Sequence, residues 1–570
     1  VELQFHMRAK ILSNEARSLA DVEIFLDDKE SLTDWWGRTL LPDGTVLELD
    51  RRELREQQIA RSGWWQQRAM KGALPGVVPG SVIDYGYTVR GEHRYLSRRI
   101  LLQQNWPVLR FRYRWKPYGG YSAVYRVYRS DGLDVQLERG RQAVLIVANN
   151  LPPVPDEPYM PPDHEVRASI ILYYLDEGIP FKKFWREHAR RIEQQTREKD
   201  STELVGKAIA AAREKPGGDL TAELRAAYDW IAANVENPLY ESGAEDLVTD
   251  PLGATGTLNP TDRLFVQVAR GLGAEADIVM APDRTTNFWD PQLRNMRQFA
   301  SELVAVRAPG EPDDEALIVD PSSGLAFGEI PWRVSGTEGL LADSRQVRSI
   351  FLPPSGADRN ITHKAVKLEF NDDASKFFAE WTEVAKGQAG LFHAQRLTRL
   401  TNRDHDRTVE YMCGASSETE VTRAESSVKH PPVSFELSCG LERFLSGIDD
   451  NIGRYHMAWL GPWIGPIPSL PPGPRVHPVI FNYPYVETME IDVKAPSGFR
   501  PSGDPVEIGF AESYGKFQLT IKATEDGFQI KRAFAMLPLI VPPEEYEALR
   551  AFLEEVRIAD RTRLMFVRED

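Results

Sequence analysis

The stretch GATGTLNPTDRLFVQVARGLGAEADIV, residues 253–279, decides how the rest of the chain is read. Over 261–272 the apolar side chains Leu264, Phe265, Val268 and Leu272 recur on one helical stripe. Gly273 follows, and three short β runs come after it: ADIVMA, ELVAVR and ALIVD. Two further helices precede this one. IPFKKFWREHARRIEQQTREKD (179–200) is charged and amphipathic, and LTAELRAAYDWIAANV (220–235) aligns Leu224, Tyr228, Ile231 and Val235. Helices followed by a small sheet give residues 180–345 an α+β order.

Both flanks read as β. LPDGTVLEL (41–49) is strand, Asp-Gly turn, strand. Over 108–115, Leu109, Phe111, Tyr113 and Trp115 alternate with Arg110, Arg112 and Arg114, which predicts one packed and one solvated face. LPPVPDEPYMPP (151–162) holds too much proline for a strand interior. Beyond 363, FQLTIKA and FQIKRAFAM flank Asp526-Gly527 as a hairpin. GPWIGPIPSLPPGPRVHP (461–478) joins two β units, and PPEEYEALRAFLEEVRIAD (542–560) is a terminal helix with acids in its first turn. The expected fold class is therefore α+β multidomain. Its parts are an N-terminal β domain (1–165), a linking strand and helix (166–200), an α+β core (201–345), a β domain (363–460), and a β unit with a C-terminal helix (475–570).

The 570 residues are 42% apolar and 27% charged, enough to bury several cores. Asp and Glu number 84 against 69 Lys and Arg, a net charge of −15, which disfavours nucleic acid as a partner. No apolar run is long enough for a membrane-spanning helix. Two cysteines and ten scattered histidines, without an HExxH, offer no metal or cofactor site, so none is expected. The sequence opens at Val1 in mid-strand without an initiator Met, and an N-terminal piece is expected to precede it.

The order β, α+β, β resembles bacterial proteins of the transglutaminase-like superfamily, with an N-terminal β domain, a papain-like core and a C-terminal β region. The resemblance rests on LLPDGTV (40–46), LPGVVPGSVIDYGY (74–87) and PDEPYMPP (155–162). It continues through ARGLGAEADIV (269–279), FASELVAV (299–306), LIVDPSSGLAFGEIPW (317–332), the hairpin 517–536 and the PPEEYEALRAF helix. It implies a Cys–His–Asp triad, in which a thiol at a helix N-terminus is activated by a neighbouring imidazole. Counting back from Gly273 puts the nucleophile's place at Leu258. The base's place, two beyond Phe299, is Ser301, and the acid's place is Asp320. A shifted register restores nothing, because no Cys lies in 1–412 and no His between His188 and His363. The resemblance thus implies an exported, periplasmic or extracellular protein whose core is a pseudoenzyme, with a protein partner or a larger envelope complex. A residual or cysteine-independent amidase, protease or transglutaminase is the alternative, and a carbohydrate-binding β module is another.

Each residue also has a plainer use. Asp320 serves as a turn residue before Pro321, and Thr257, Thr261, Ser322 and Ser323 as turn or cap residues. Asp262 favours the helix dipole. Cys413 and Cys439 form a disulfide if their strands are neighbours in an oxidising compartment, but the commoner use is as two small buried hydrophobes. Cys413 with His405 lies outside the core, which sets a catalytic pair there aside. The arginine face 110/112/114 is a solvated sheet surface before it is an anion site. The aromatics of 106–128 are packing before they are a sugar platform.

Overall fold

Period-two alternation builds most of this chain. It is seen in a computed structural model that describes residues 2–27, 29–62, 65–91, 97–117, 122–140, 143–175, 181–197, 202–214, 218–235, 258–345, 347–371, 375–398, 400, 402–416, 419–429, 432–444, 454–458, 463–465 and 467–569. Thr257, and Tyr118 and Tyr121 among the aromatics of 106–128, lie outside the described residues. The chain divides into two units, 1–98 and 99–570.

In the first unit, one sheet orders its strands Glu2–Lys10, Val82–Gly91, Glu30–Leu40, Val46–Glu48, and a second orders Asp21–Asp27, Trp65–Ala73, Arg55–Ser62. Val22, Ile24 and Leu26 alternate inward and share one apolar cluster with Trp35, Ile83 and Val89 of the other sheet. The Asp43-Gly44 turn lies where the sequence put it. Gly44 has φ 89°, a conformation that suits glycine.

The second unit begins with β structure. The strand Val108–Trp115 pairs with Val144–Leu151, which pairs in turn with Asp134–Arg139. Phe111, Tyr113, Trp115 and Tyr125 pack against a buried cluster, and Arg110, Arg112 and Arg114 are exposed. Leu109 departs from the expected face and is 77% exposed. Asn150, which faces it across the ladder, takes a φ of 50°. That turn of the backbone breaks the alternation, and Val108 joins the cluster instead.

Four helices follow: Phe181–Gln195, Thr202–Arg213, Leu220–Asn234 and Pro260–Gly271. A five-stranded sheet completes the core in the order Leu317–Val319, Ser301–Arg307, Glu275–Ala281, Thr337–Leu341, Arg348–Leu352. Tyr228, Ile231, Phe265 and Val268 from the helices share a cluster with Ile278, Val304 and Val319 from the sheet.

The stretches 363–460 and 475–570 share a single eight-stranded sheet. Its halves meet where Ile361–Phe370 runs parallel to Tyr485–Lys494. The sequence reading missed the helix pair Gln388–Thr398 and Asn402–Met412. It found the helix Tyr546–Asp560, which the strand Arg563–Arg568 follows. Cys413, just past that helix pair, is bonded to Cys439 in the strand Ser434–Phe444, with Cα atoms 5.4 Å apart. The preference for two unbonded cysteines is thereby corrected. The missed helix pair brings Cys413 back over the sheet to Cys439.

Candidate functional site

The core helix starts where its sequence says it should. Asn259 is the N-cap, its Oδ1 accepting the Thr261 N–H at 2.9 Å, and Pro260 occupies the first turn, where an N–H is not needed. Leu272 and Gly273 end the helix. Gly273 has φ 99°, and the Ala274 N–H reaches back to the Ala269 carbonyl at 3.0 Å, which closes the last turn.

Three elements converge at the start of this helix. The Leu258 N–H donates to Gln195 Oε1 at 2.7 Å, and its side chain is buried in the core cluster. The Asn259 N–H donates to Glu302 Oε2 at 2.8 Å, which ties the helix start to the residue after Ser301. Ser301 opens its strand opposite Ala281 and is half-buried. The neighbouring strand pairs Val304 with Val319 and so carries Asp320 to the same end. In the first turn of the helix, Asp262 is buried close enough to Asp320 and Glu302 to feel their charge. Leu258, Ser301 and Asp320 therefore stand on elements that meet at one end of the core. Gln195 and Glu302 were missed in the sequence. The signal for Glu302 was a lone acid ahead of the apolar run LVAV in the strand SELVAVR.

Asp320 is buried in a turn of its own making. Its Oδ1 accepts the Ser322 N–H at 3.0 Å, the Ser322 hydroxyl at 2.7 Å and the Ser323 N–H at 2.9 Å. Tyr228 donates its hydroxyl to the Asp320 and Leu325 carbonyls, each at 2.8 Å. Burial pushes the Asp320 carboxyl up to about 6, against the pull of those serine bonds. Asp262 is raised well above the usual carboxylate range, first by burial and then by Asp320 and Glu302 nearby. Two buried carboxyls that repel each other in this way resist ionising together. Asp262 Oδ1 and Thr261 Oγ1 have no hydrogen-bond partner among the described residues.

A raised pKa in the fold gives a definite sign. Stability from these acids is full below the unfolded value, about pH 4, and is lost as pH rises through about 6 and beyond. Asp262→Asn keeps the shape and cannot ionise. It is expected to raise the melting temperature at pH 8, by about 1 °C per kcal/mol recovered for a unit of this size, with little change at pH 4. Paired thermal melts at the two pH values check this. A loss at pH 8 would mean that the charged carboxylate is the stabilising form.

This arrangement offers buried acids and the buried hydroxyls of Tyr228, Ser322 and Ser323, with the aliphatic Leu258 ahead of the helix. The two cysteines of the sequence are bonded to each other, Cys413 just past the helix Asn402–Met412 and Cys439 in the eight-stranded sheet. Among the described residues no group of three His, Cys, Asp or Glu side chains is arranged to hold a metal ion.

Residues 1–155 match DUF3857, and residues 469–566 match DUF3858, each a domain of unknown function with a solved structure. No curated protein matches the chain. Among solved structures, "a putative protease from Parabacteroides distasonis" aligns over 99% of this chain and 95% of its own, at 13% identity and a TM-score of 0.48. The chain thus carries a DUF3857 domain at one end and a DUF3858 domain at the other, on either side of the helix-and-sheet core.

Proposed function

We propose that this chain is a transglutaminase-like protein whose core has lost its catalytic triad and serves as a binding or scaffold subunit of a bacterial cell envelope. One observation carries the reading. At the head of the core helix, Leu258 is buried with its N–H bonded to Gln195, in the place where relatives of this kind would hold a thiol. An apolar side chain there removes the anion that a helix N-terminus stabilises. The acid, Asp320, is spent on Ser322 and Ser323 rather than on orienting an imidazole. The Cys413–Cys439 bond supports an oxidising compartment, in keeping with an exported protein.

The expected result is that purified protein hydrolyses no amide or ester above background and that iodoacetamide changes nothing. Loss of a nucleophile or base alone typically costs about four to six orders of magnitude. Leu258→Cys restores nothing by itself, because the base is also absent. Leu258→Cys with Ser301→His restores a trace. Robust wild-type amidase or transamidase activity, lost in Asp320→Asn with the fold intact by circular dichroism, would overturn the reading. The scaffold role is tested by what co-purifies with the untagged protein and by its native size in extracts.

A further inference from the structure

On one face of the N-terminal sheet, two adjacent rows of the pairing hold an unusual set of side chains. His6, Gly86 and Trp36 form one row. Arg8, Asp84 and Arg38 form the next. A Cβ at Gly86 would stand 2.9 Å from Trp36 Nε1 and 3.0 Å from Cε2, so the absent side chain lets the indole lie across the strand. Trp36 is nevertheless 41% exposed, whereas its neighbour Trp35 is buried. The His6 ring lies beside it, centroids 5.3 Å apart, and the Arg38 guanidinium carbon is 5.9 Å from its centroid.

Asp84 organises the second row. Its carboxylate is fully buried and accepts from Arg8 Nη2 at 2.8 Å, Arg38 Nη2 at 2.8 Å, Arg38 Nε at 3.1 Å and His6 Nε2 at 2.9 Å. Burial alone would raise this carboxyl. The bonds from Arg8, His6 and Arg38 outweigh that and hold it below the usual range. It is therefore an anion, and His6 Nε2–H is a donor to it. One guanidinium would neutralise Asp84; two are present, and their side chains remain 60% and 42% exposed. Solvent meets the fixed cations and not the acid beneath them. Held in place in advance, they lose little entropy on meeting an anion. Asp34 stands in the row beyond Trp36, Glu48 opposite Arg38 and Lys10 in the row beyond Arg8, so acids bound the patch on two sides and the cationic part of it is short.

A packing role accounts for Trp36 over a glycine and for one arginine on Asp84. It does not call for a second guanidinium and an imidazole on the same carboxylate, nor for an indole left 41% exposed. We propose that this patch binds an acidic saccharide, with a pyranose ring stacked on Trp36 and its carboxylate on Arg8 and Arg38. The patch lies within residues 1–98, and its binding does not depend on whether the core is catalytic.

The probes are trigalacturonate and its fully methyl-esterified, uncharged form, titrated calorimetrically into the full-length protein at low and moderate salt. Wild type is expected to bind the acid form and not the ester. Trp36→Ala should weaken binding about tenfold or more, Trp36→Phe should retain most of it, and Arg8→Gln should weaken it and flatten its salt dependence. Thermal melts of each variant separate lost binding from lost fold. A broader set of carboxylated and sulfated oligosaccharides is then screened with wild type and Trp36→Ala side by side. The proposal is overturned if no acidic saccharide distinguishes the two proteins, if acid and ester bind alike, or if an acidic peptide binds through the same residues and no sugar does.

Discussion

Arg532→Ala is expected to destabilise the C-terminal sheet by about 3–5 kcal/mol, the loss typical of one partner removed from a buried ion pair. The Arg532 side chain is fully buried. Its Nε and Nη2 donate to Asp560 at 2.8 and 2.9 Å, its Nη1 lies 3.8 Å from Glu487, and the guanidinium rests over Phe517 and Phe534. Truncation strands the Asp560 carboxylate in a dry site and opens a hole against two rings. Urea unfolding followed by circular dichroism gives the number. Replacing the pair together, Arg532→Met with Asp560→Leu, should recover most of it, because desolvation of the charges then disappears with their attraction. A single-variant loss below about 1 kcal/mol would show that water reaches Asp560.

Reducing Cys413–Cys439 is the second large effect. The bond spans 26 residues and ties the end of the helix Asn402–Met412 to the second strand from one edge of the eight-stranded sheet. A loop of that length constrains the unfolded chain by about 3–4 kcal/mol. Cys413→Ala with Cys439→Ala should lose a comparable amount, measured against oxidised wild type. If reductant leaves the melting temperature of wild type unchanged, the bond contributes no stability and its role must lie elsewhere.

How much of this was legible in the sequence follows from how local each signal is. The core helix carried its own punctuation in Asn259, Pro260 and Gly273, and alternation marked most strands, so both were readable. Leu109 misled because its environment depends on Asn150, some forty residues on. The helix pair at 388–412 was hidden between strong strands, and its second helix is mostly polar. The convergence of Asp262, Glu302 and Asp320 joins one helix and two strands, and only tertiary pairing discloses it. The same holds for the Asp84 cluster. His6, Arg8, Arg38 and Asp84 are unremarkable in their own strands and become a site only when three strands are placed side by side.

The parallel pairing of Ile361–Phe370 with Tyr485–Lys494 bears on the order in which the protein is made. His363 meets Thr488 across a separation of 125 residues. During synthesis, the hairpin formed by Ile361–Phe370 and Lys376–Lys386 waits with one edge unfilled until the chain has reached the far side of that gap. At about 5–20 residues per second, the delay is of order ten seconds, long compared with hairpin formation itself. A strand edge open for that time, with Val366 and Leu368 still to be buried, is a template for wrong pairing. A chain halted near residue 460 should therefore aggregate, whereas one carried past residue 536 has the strands that cap that edge.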